Sequence, residues 1–352
     1  MIDSPGLRLD RDVLLFFEDR DRDTLLRGDR RLRRRLRKAI GYLRTDRPRY
    51  SGFELSFVLL CRALTRAGRT VHVNDFAAAA RNPDFPVGLC GFPHILDHWS
   101  LPNPAVLGPG LFDHPLEAPG LMKDPRFRVY LAFSEWMRRM FARVYGDAHM
   151  ALWFGGMDLE DWTDATDHPK DLDFLVYDKI RWNRDELVPR IREPVLVELA
   201  RRGLAFEIVR YGQHTNDTYR RLVQRSRGLL FLCEHETQGM AYQEAMASNV
   251  PVLAWDQGYW MDPNRPRWEL EPVRASSVPY FDPTCGERFG HNGADDFAAA
   301  LDRFMAKRSA YAPRAWVAEH LSLEESARLY LDAYRRAGSD LQIAETVPTD
   351  VI

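Results

Sequence analysis

Two glutamates, Glu236 and Glu244, stand eight positions apart with Gly239 between them. An apolar run, Leu229-Leu-Phe-Leu-Cys, precedes the pair, and a second one, Pro251-Val-Leu-Ala-Trp, follows it. This pattern predicts a strand, a turn, a helix that starts near Gly239, and another strand. At about 1.5 Å of rise per helical residue, the two carboxylates would lie roughly 12 Å apart or less. That span suits a sugar ring and a ribose bound on either side of a diphosphate.

The predicted helix start between the two glutamates is suited to an anion. Its first N–H groups have no partner within the helix, and the helix dipole is positive at this end. We therefore predict that a bound phosphate or sugar is contacted by the backbone N–H groups at this helix start, those of Gln238, Gly239, Met240 and Ala241. Glutamates at this spacing also occur on solvated helix faces, which is the alternative interpretation of the pair.

The segment resembles the Glu-x7-Glu motif of the retaining, GT-B-type family 4 glycosyltransferases. The Ala-Met-Ala-x-x-Val-Pro-Val run that continues from Glu244 extends the likeness, which covers roughly residues 50–300 and is strongest between 128 and 255. The resemblance implies that Glu236 faces the donor sugar as a catalytic residue and that Glu244 binds the nucleotide ribose. It also implies a nucleoside-diphosphate sugar as donor, a hydroxyl acceptor, no cofactor and no metal.

The family usually carries Gly-Arg-Leu-x-x-x-Lys after a strand, and its two cations hold the donor diphosphate. The matching residues here are Asp178-Lys179-Ile-Arg-Trp-Asn-Arg184, so the resemblance assigns this role to Lys179 and Arg184 with their identities exchanged. Arginine pairs with phosphate bidentately and lysine as a point charge. Arg181 is a competing candidate, and solvated surface cations are the alternative. Asp178 replaces the glycine and is expected to add an unfavourable negative charge.

Three further assignments fall in the first half of the chain. Ser51 and Gly52 stand where the family has a glycine pair, whose small size lets the backbone approach the donor. The family often places a histidine against the donor sugar from the acceptor side, and His94 is the candidate, with His98 and His114 as rivals. Each of these has a structural alternative, a turn before a helix for Gly52 and a packed loop for His94.

Apolar strand-like runs alternate with amphipathic helical stretches along the chain, which predicts an α/β protein with parallel sheets. We expect two Rossmann-like doubly wound domains that face a cleft, the GT-B arrangement implied by the resemblance. The predicted boundaries are an acceptor domain at 1–160, a nucleotide-sugar-binding domain at 172–315 and a C-terminal helix at 316–340. In the family this helix crosses back to the first domain. The predicted strands are 13–17, 71–73, 129–133, 148–154, 173–177, 205–209, 229–233 and 251–255.

A strongly basic insertion occupies residues 27–49, with eleven basic residues against two acidic ones. Leu32, Leu36, Ile40 and Leu43 recur at helical spacing, so an amphipathic helix is predicted. One interpretation is a peripheral contact with an anionic membrane, and the other is a solvated helix packed through its leucines. The alternating aspartates at 19, 21 and 23 imitate a metal-binding Asp-x-Asp, but the interleaved arginines would neutralise it.

Composition narrows the class of protein. A hydrophobic fraction of 45% with 28% charged residues is ordinary for a globular enzyme, and a net charge of −2 gives no support for a nucleic-acid partner. Four cysteines without CxxC spacing suit reduced thiols, so we expect a cytoplasmic protein.

The motif and its family resemblance favour a metal-independent retaining glycosyltransferase. The alternatives are an inactive nucleotide-sugar-binding or scaffold protein and a GT-B nucleotide-sugar epimerase.

Overall fold

The structure, a computed structural model, describes residues 7–19, 52–269, 271–290 and 294–339. Ser51 and the basic insertion at 27–49 lie outside these residues. Within the described chain, eleven strands form two sheets, and all of the paired strands run parallel. The predicted α/β class with two doubly wound sheets is confirmed.

The first sheet has the strand order β2-β1-β3-β4-β5-β6. Its central strands are buried on both faces, as expected of a parallel sheet covered by helices. The strands are β1 (Asp12–Glu18), β2 (Thr70–Val73), β3 (Val87–Gly91), β4 (Ala105–Gly110), β5 (Phe127–Ala132) and β6 (Met150–Leu152). The helices that follow or flank them are α1 (Gly52–Arg66), α2 (Phe76–Arg81), α3 (His94–His98) and α4 (Glu135–Tyr145).

The second sheet has the strand order β11-β10-β9-β7-β8. Its strands are β7 (Phe174–Lys179), β8 (Phe206–Arg210), β9 (Leu229–Cys233), β10 (Val252–Trp255) and β11 (Gly286–Phe289). Its helices are α5 (Arg184–Leu187), α6 (Glu193–Arg201), α7 (Asn216–Arg225), α8 (Met240–Ala247) and α9 (Ala294–Lys307), with a π-helical segment (Val188–Arg192) between α5 and α6. Separate apolar clusters cover the two faces of this sheet.

The chain ends with α10 (Pro313–His320) and α11 (Leu323–Gly338), and α11 packs on the first sheet. The Tyr334 hydroxyl accepts a hydrogen bond from Leu14 N at 2.9 Å and donates one to Pro86 O. Tyr330 lies so close to Gly88 that a Cβ there would overlap its hydroxyl. The last helix therefore contacts the first sheet, as the resemblance implies, while the exact domain boundaries stay predictions.

Each sheet has a switch point, where two adjacent strands are followed by connections that leave in opposite directions. In the second sheet this point lies between β7 and β9, and in the first between β1 and β3. Ligands of doubly wound sheets bind outside the carboxyl ends of the strands at such points. The fold therefore directs attention to the residues that end β7 and β9.

Candidate active site

Lys179 and Glu236 form an ion pair at the switch point of the second sheet. Lys179 ends β7, directly opposite Cys233, which ends β9, and Glu236 follows three residues later. The ammonium contacts the Glu236 carboxylate, and the two side chains are only 11% and 8% exposed. Burial alone would lower the pKa of Lys179, but the charge of Glu236 together with Cys233 and Tyr211 outweighs burial, and the pKa of Lys179 is raised. The ammonium is therefore retained at a contact that is little hydrated.

Gly239 turns the chain from β9 into α8. Its φ of +90° is a left-handed conformation, and a Cβ here would overlap the ring of Tyr242 and lie 3.3 Å from Glu236 Cγ. Only glycine fits such a position without strain. Because Gly239 precedes the first helical residue, Met240, the N-terminal end of α8 lies directly beside Glu236. An anion at this end would meet both the helix dipole and the ammonium of Lys179.

Glu244 lies on α8 within the same electrostatic neighbourhood. Burial raises the pKa of its carboxyl to about 8, against the opposing charges of Arg220 and Lys179. The exposed fraction of Glu244 is intermediate. Burial also raises the pKa of the Tyr219 phenol, and the charge of Glu244 raises it further. Lys179 thus contacts Glu236 and also acts electrostatically on Glu244.

Replacing Glu244 by glutamine should stabilise the protein increasingly as pH rises. An unfolded glutamate ionises near pH 4, whereas the folded one keeps its proton to about pH 8. Ionisation therefore favours the unfolded chain between these values, and stability falls with rising pH. Glutamine cannot ionise, so Glu244→Gln should exceed the wild type only slightly near pH 5 and by on the order of 4 kcal/mol at pH 8.

Urea denaturation at pH 5 and pH 8 measures this difference. Glu186→Gln, at an exposed glutamate on α5, is the control and should behave as the wild type at both values. Equal stability of Glu244→Gln and wild type at pH 8 would contradict the shifted pKa.

Arg184 is not placed as the sequence predicts. Its guanidinium is bound to Asp178, with Nη2 to Oδ2 at 2.7 Å, and it also donates to Ile180 O. Asp178 is completely buried and pairs with Arg192 as well, at 2.9 Å. Burial raises the pKa of this carboxyl, but hydrogen bonds from the two arginines lower it further than that, below its usual range. Asp178 therefore adds no uncompensated negative charge, and Arg184 serves as its partner.

Arg181 is the cation that this loop presents to solvent. Its backbone N–H and that of Trp182 both donate to Glu234 Oε1, at 2.8 and 2.9 Å, so a buried carboxylate fixes the loop. The guanidinium lies 4.0 Å over the Trp182 ring and donates to His235 O at 3.3 Å. Within the described chain it has no carboxylate partner at ion-pair distance. Its charge acts on the pKa of Lys179 and on that of Asp113, which follows β4.

The residues that start α8 are held in different ways. The Gln238 amide accepts a hydrogen bond from Gly155 N at 2.9 Å and donates one to Gly155 O at 2.7 Å, so its side chain joins the two halves of the molecule. The Met240 side chain packs against residues of α1 and α11. Ala241 O accepts a hydrogen bond from the Tyr219 hydroxyl at 2.6 Å. An anion at this helix end would meet the backbone N–H groups of these residues, which stays a prediction.

The remaining predicted residues belong to the first sheet. Gly52 begins α1, and a Cβ there would meet open space. His94 begins α3 at the switch point of this sheet, where its Nε2 lies 3.3 Å from Glu18 Oε2. Only 3% of the His94 side chain is exposed, which leaves little surface for a donor sugar. His98 contacts the same carboxylate at 3.1 Å and is 56% exposed, so it is the imidazole that faces solvent. The second rival, His114, is buried and bonded to Glu269.

Several residues near the ion pair were not predicted. Tyr211 follows β8, is 49% exposed, and lies beneath the Lys179 ammonium, 4.5 Å from Nζ to the ring centre. His214 Nε2 lies 3.2 Å from the Tyr177 hydroxyl in the same loop region. Both residues follow a strand of the second sheet, as Glu236 does, and Lys179 is the last residue of such a strand. Their position after β8 was therefore an available signal, although no sequence motif singles them out.

The described part of the chain offers neither a cluster of metal ligands nor a membrane-spanning helix. No three side chains of histidine, cysteine, aspartate or glutamate come together there in a way that could hold a metal ion. None of the described helices has the length and apolar character needed to cross a membrane. All four cysteines are free thiols.

Comparison with solved structures identifies the architecture. AviGT4, a glycosyltransferase involved in avilamycin A biosynthesis, matches with a TM-score of 0.52 at 14% identity, over 94% of this chain and 99% of that one. Sucrose-phosphate synthase from Thermosynechococcus elongatus matches with a TM-score of 0.52 at 13% identity, over 93% and 98%. The chain has the GT-B fold. No protein-family model and no curated sequence matches it. The Lys179–Glu236 ion pair thus lies at the switch point of the second sheet of a GT-B fold.

Proposed function

We propose that this protein is a retaining glycosyltransferase that transfers a sugar from a nucleoside-diphosphate sugar to a hydroxyl acceptor. The observation that carries the proposal is the convergence of Glu236, Lys179 and the N-terminal end of α8 at the switch point between β7 and β9. This arrangement combines a carboxylate for sugar hydroxyls with two positive features for a departing diphosphate. The Glu-x7-Glu resemblance supports the same assignment.

The departing diphosphate would be stabilised without a metal. Lys179 has three N–H donors, so it can keep its contact with Glu236 and also bind a phosphate oxygen. Arg181, rather than Arg184, would supply the second cation, because its guanidinium is exposed and Arg184 is bound to Asp178. Fixed positive groups placed where negative charge develops are an effective means of lowering a reaction barrier.

Glu236 would orient the donor sugar, and Glu244 would bind the ribose. A carboxyl with a pKa of about 8 is largely protonated at pH 7, so Glu244 would donate one hydrogen bond to a ribose hydroxyl and accept another. The leaving phosphate would help to deprotonate the acceptor, as in the family that the sequence resembles.

Replacing Glu244 by alanine should weaken nucleotide binding by about 1–3 kcal/mol, because ribose hydroxyls lose a buried hydrogen-bond partner. A thermal-shift panel of nucleoside diphosphates identifies the base that stabilises the wild type, and calorimetry then compares the two proteins with that nucleotide. Glu186→Ala provides a surface control on α5. Unchanged affinity in Glu244→Ala would remove the ribose assignment.

Transfer should persist in excess EDTA, and the product should keep the anomeric configuration of the donor. The first expectation follows if Lys179, Arg181 and the helix dipole neutralise the diphosphate, and the second follows from the resemblance to a retaining family. The measurement is an NMR assay with the donor selected by thermal shift, run with and without chelator. Loss of activity in EDTA would contradict the metal-independent mechanism, and an inverted anomeric centre would contradict the retaining one.

A further inference from the structure

The backbone of Glu236 is held from two sides. Its N–H donates to Ser276 O at 2.9 Å, a contact within the second half of the molecule. Its carbonyl accepts a hydrogen bond from Trp136 Nε1, also at 2.9 Å. Trp136 lies in the first turn of α4, which follows β5 of the first sheet. The residue that would orient the donor sugar is thus bonded directly to the opposite side of the cleft.

Packing fixes the orientation of the Trp136 indole. The side chain is 7% exposed, and its ring meets His235 edge to face, with the ring centres 6.1 Å apart. Trp260 packs against the same indole at 6.2 Å. An indole has a single N–H donor, and here it is used on the carbonyl of Glu236. Rotating the ring to another partner would require these aromatic neighbours to move.

A second contact holds the same turn. Gln238 makes its paired hydrogen bonds to the backbone of Gly155, which follows the last strand of the first sheet. The turn that carries Glu236 is therefore attached to the first half of the molecule at residues 236 and 238. Its carboxylate is held separately by Lys179 from the second sheet. The position of Glu236 consequently depends on how the two sheets are arranged.

We infer that Trp136 is a positioning residue for Glu236, and that its hydrogen bond makes the reactive placement of this carboxylate depend on a closed cleft. The inference rests on the proposed function. When the two sheets separate, the bond between Trp136 and Glu236 breaks, and the turn loses its attachment on that side. Sugar transfer is thereby confined to the arrangement in which the acceptor side is in place and water is excluded.

The test replaces the indole by a ring without the N–H donor, in Trp136→Phe. Trp153→Phe is the matched control, because Trp153 is also buried and its Nε1 donates to a backbone carbonyl, that of Ser326 at 3.2 Å. Hydrogen exchange read by mass spectrometry reports the protection of residues 234–238. Steady-state kinetics with the donor selected by thermal shift reports kcat, and calorimetry reports the Kd of the nucleoside diphosphate.

Trp136→Phe should increase exchange at residues 234–238 and lower kcat about ten- to a hundred-fold, with Kd for the nucleoside diphosphate within about twofold of wild type. Trp153→Phe should lose a similar amount of thermal stability without either change. Unaltered exchange at 234–238 in Trp136→Phe overturns the inference, and so does an equal loss of kcat in the control. If the wild type transfers no sugar, the proposed function fails, and the exchange measurement still decides whether Trp136 positions Glu236.

Discussion

Replacing Lys179 by alanine should lower kcat about 10²–10³-fold, the usual cost of removing one preorganised group that stabilises charge in the transition state. The ammonium is the positive group in direct contact with Glu236, and its charge also acts on Glu244. An exposed lysine would be replaced by water at little cost. Lys179 is 11% exposed, so its loss leaves the developing diphosphate charge without a substitute in a poorly hydrated site.

Two further variants separate catalysis from folding. Lys179→Ala leaves the buried Glu236 carboxylate without its partner, which destabilises the fold. Adding Glu236→Gln removes that charge, so the double variant should recover stability without recovering turnover. Lys170→Ala is the control, since Lys170 is also partly buried but donates to Gln224 O, in α7. A kcat of Lys179→Ala within about threefold of the wild type would contradict the assignment.

The central motif was predictable because its parts are adjacent in sequence. A buried strand, a glycine and a helix within residues 229–247 fix where Glu236, Gly239 and Glu244 lie relative to one another. Local geometry is sufficient for this, and the structure places them as expected. The alternation of strands and helices likewise predicted two doubly wound sheets. Both inferences use interactions over short stretches of chain, which sequence periodicity reflects directly.

Three of the eleven strands in the described chain, β3, β4 and β11, have no counterpart among the predicted ranges, and β4 and β11 show the reason most clearly. β4 reads Ala-Val-Leu-Gly-Pro-Gly, and its glycines and proline contradict strand propensity, yet all six residues are buried between neighbouring strands. β11 reads Gly-Glu-Arg-Phe, a short polar edge strand in which the carboxylate of Glu287 pairs with Arg303 and Lys307. Both segments form strands because they pair with neighbouring strands in the folded sheet, and the propensities of their own residues do not reveal this pairing.

The choice between Arg181 and Arg184 was also beyond the sequence. Spacing alone matches Arg184 to the cation of the family motif. The structure shows that Asp178, which replaces a family glycine, binds both Arg184 and Arg192, and Arg192 lies fourteen residues further along the chain than Asp178. Which cation is neutralised depends on this three-residue contact. The contact between Trp136 and Glu236 spans a hundred positions and was unpredictable for the same reason.

Replacing Asp178 by alanine should destabilise the fold by about 3–5 kcal/mol, the usual cost of removing one partner from a buried ion pair. The carboxylate is completely buried and accepts hydrogen bonds from Arg184, Arg192 and the Ile180 N–H. Without it, two guanidinium groups that are less than a quarter exposed would repel each other with no anion between them. The loop that carries Arg181 begins at this point, so local order should be lost as well.

The effect should depend on pH in a defined direction. The pKa of Asp178 is lowered in the folded state, so its stabilising contribution is complete above the ordinary carboxyl range, near pH 4, and is lost as pH falls through the lower folded pKa. Urea denaturation should therefore show a large gap between wild type and Asp178→Ala at pH 7 that narrows below about pH 4. Asp171→Ala is the control, because Asp171 is 61% exposed and pairs with Arg225 at the surface. Such a pair contributes about 0–1 kcal/mol, so a loss in Asp178→Ala no greater than in Asp171→Ala would show that Asp178 does not anchor the loop.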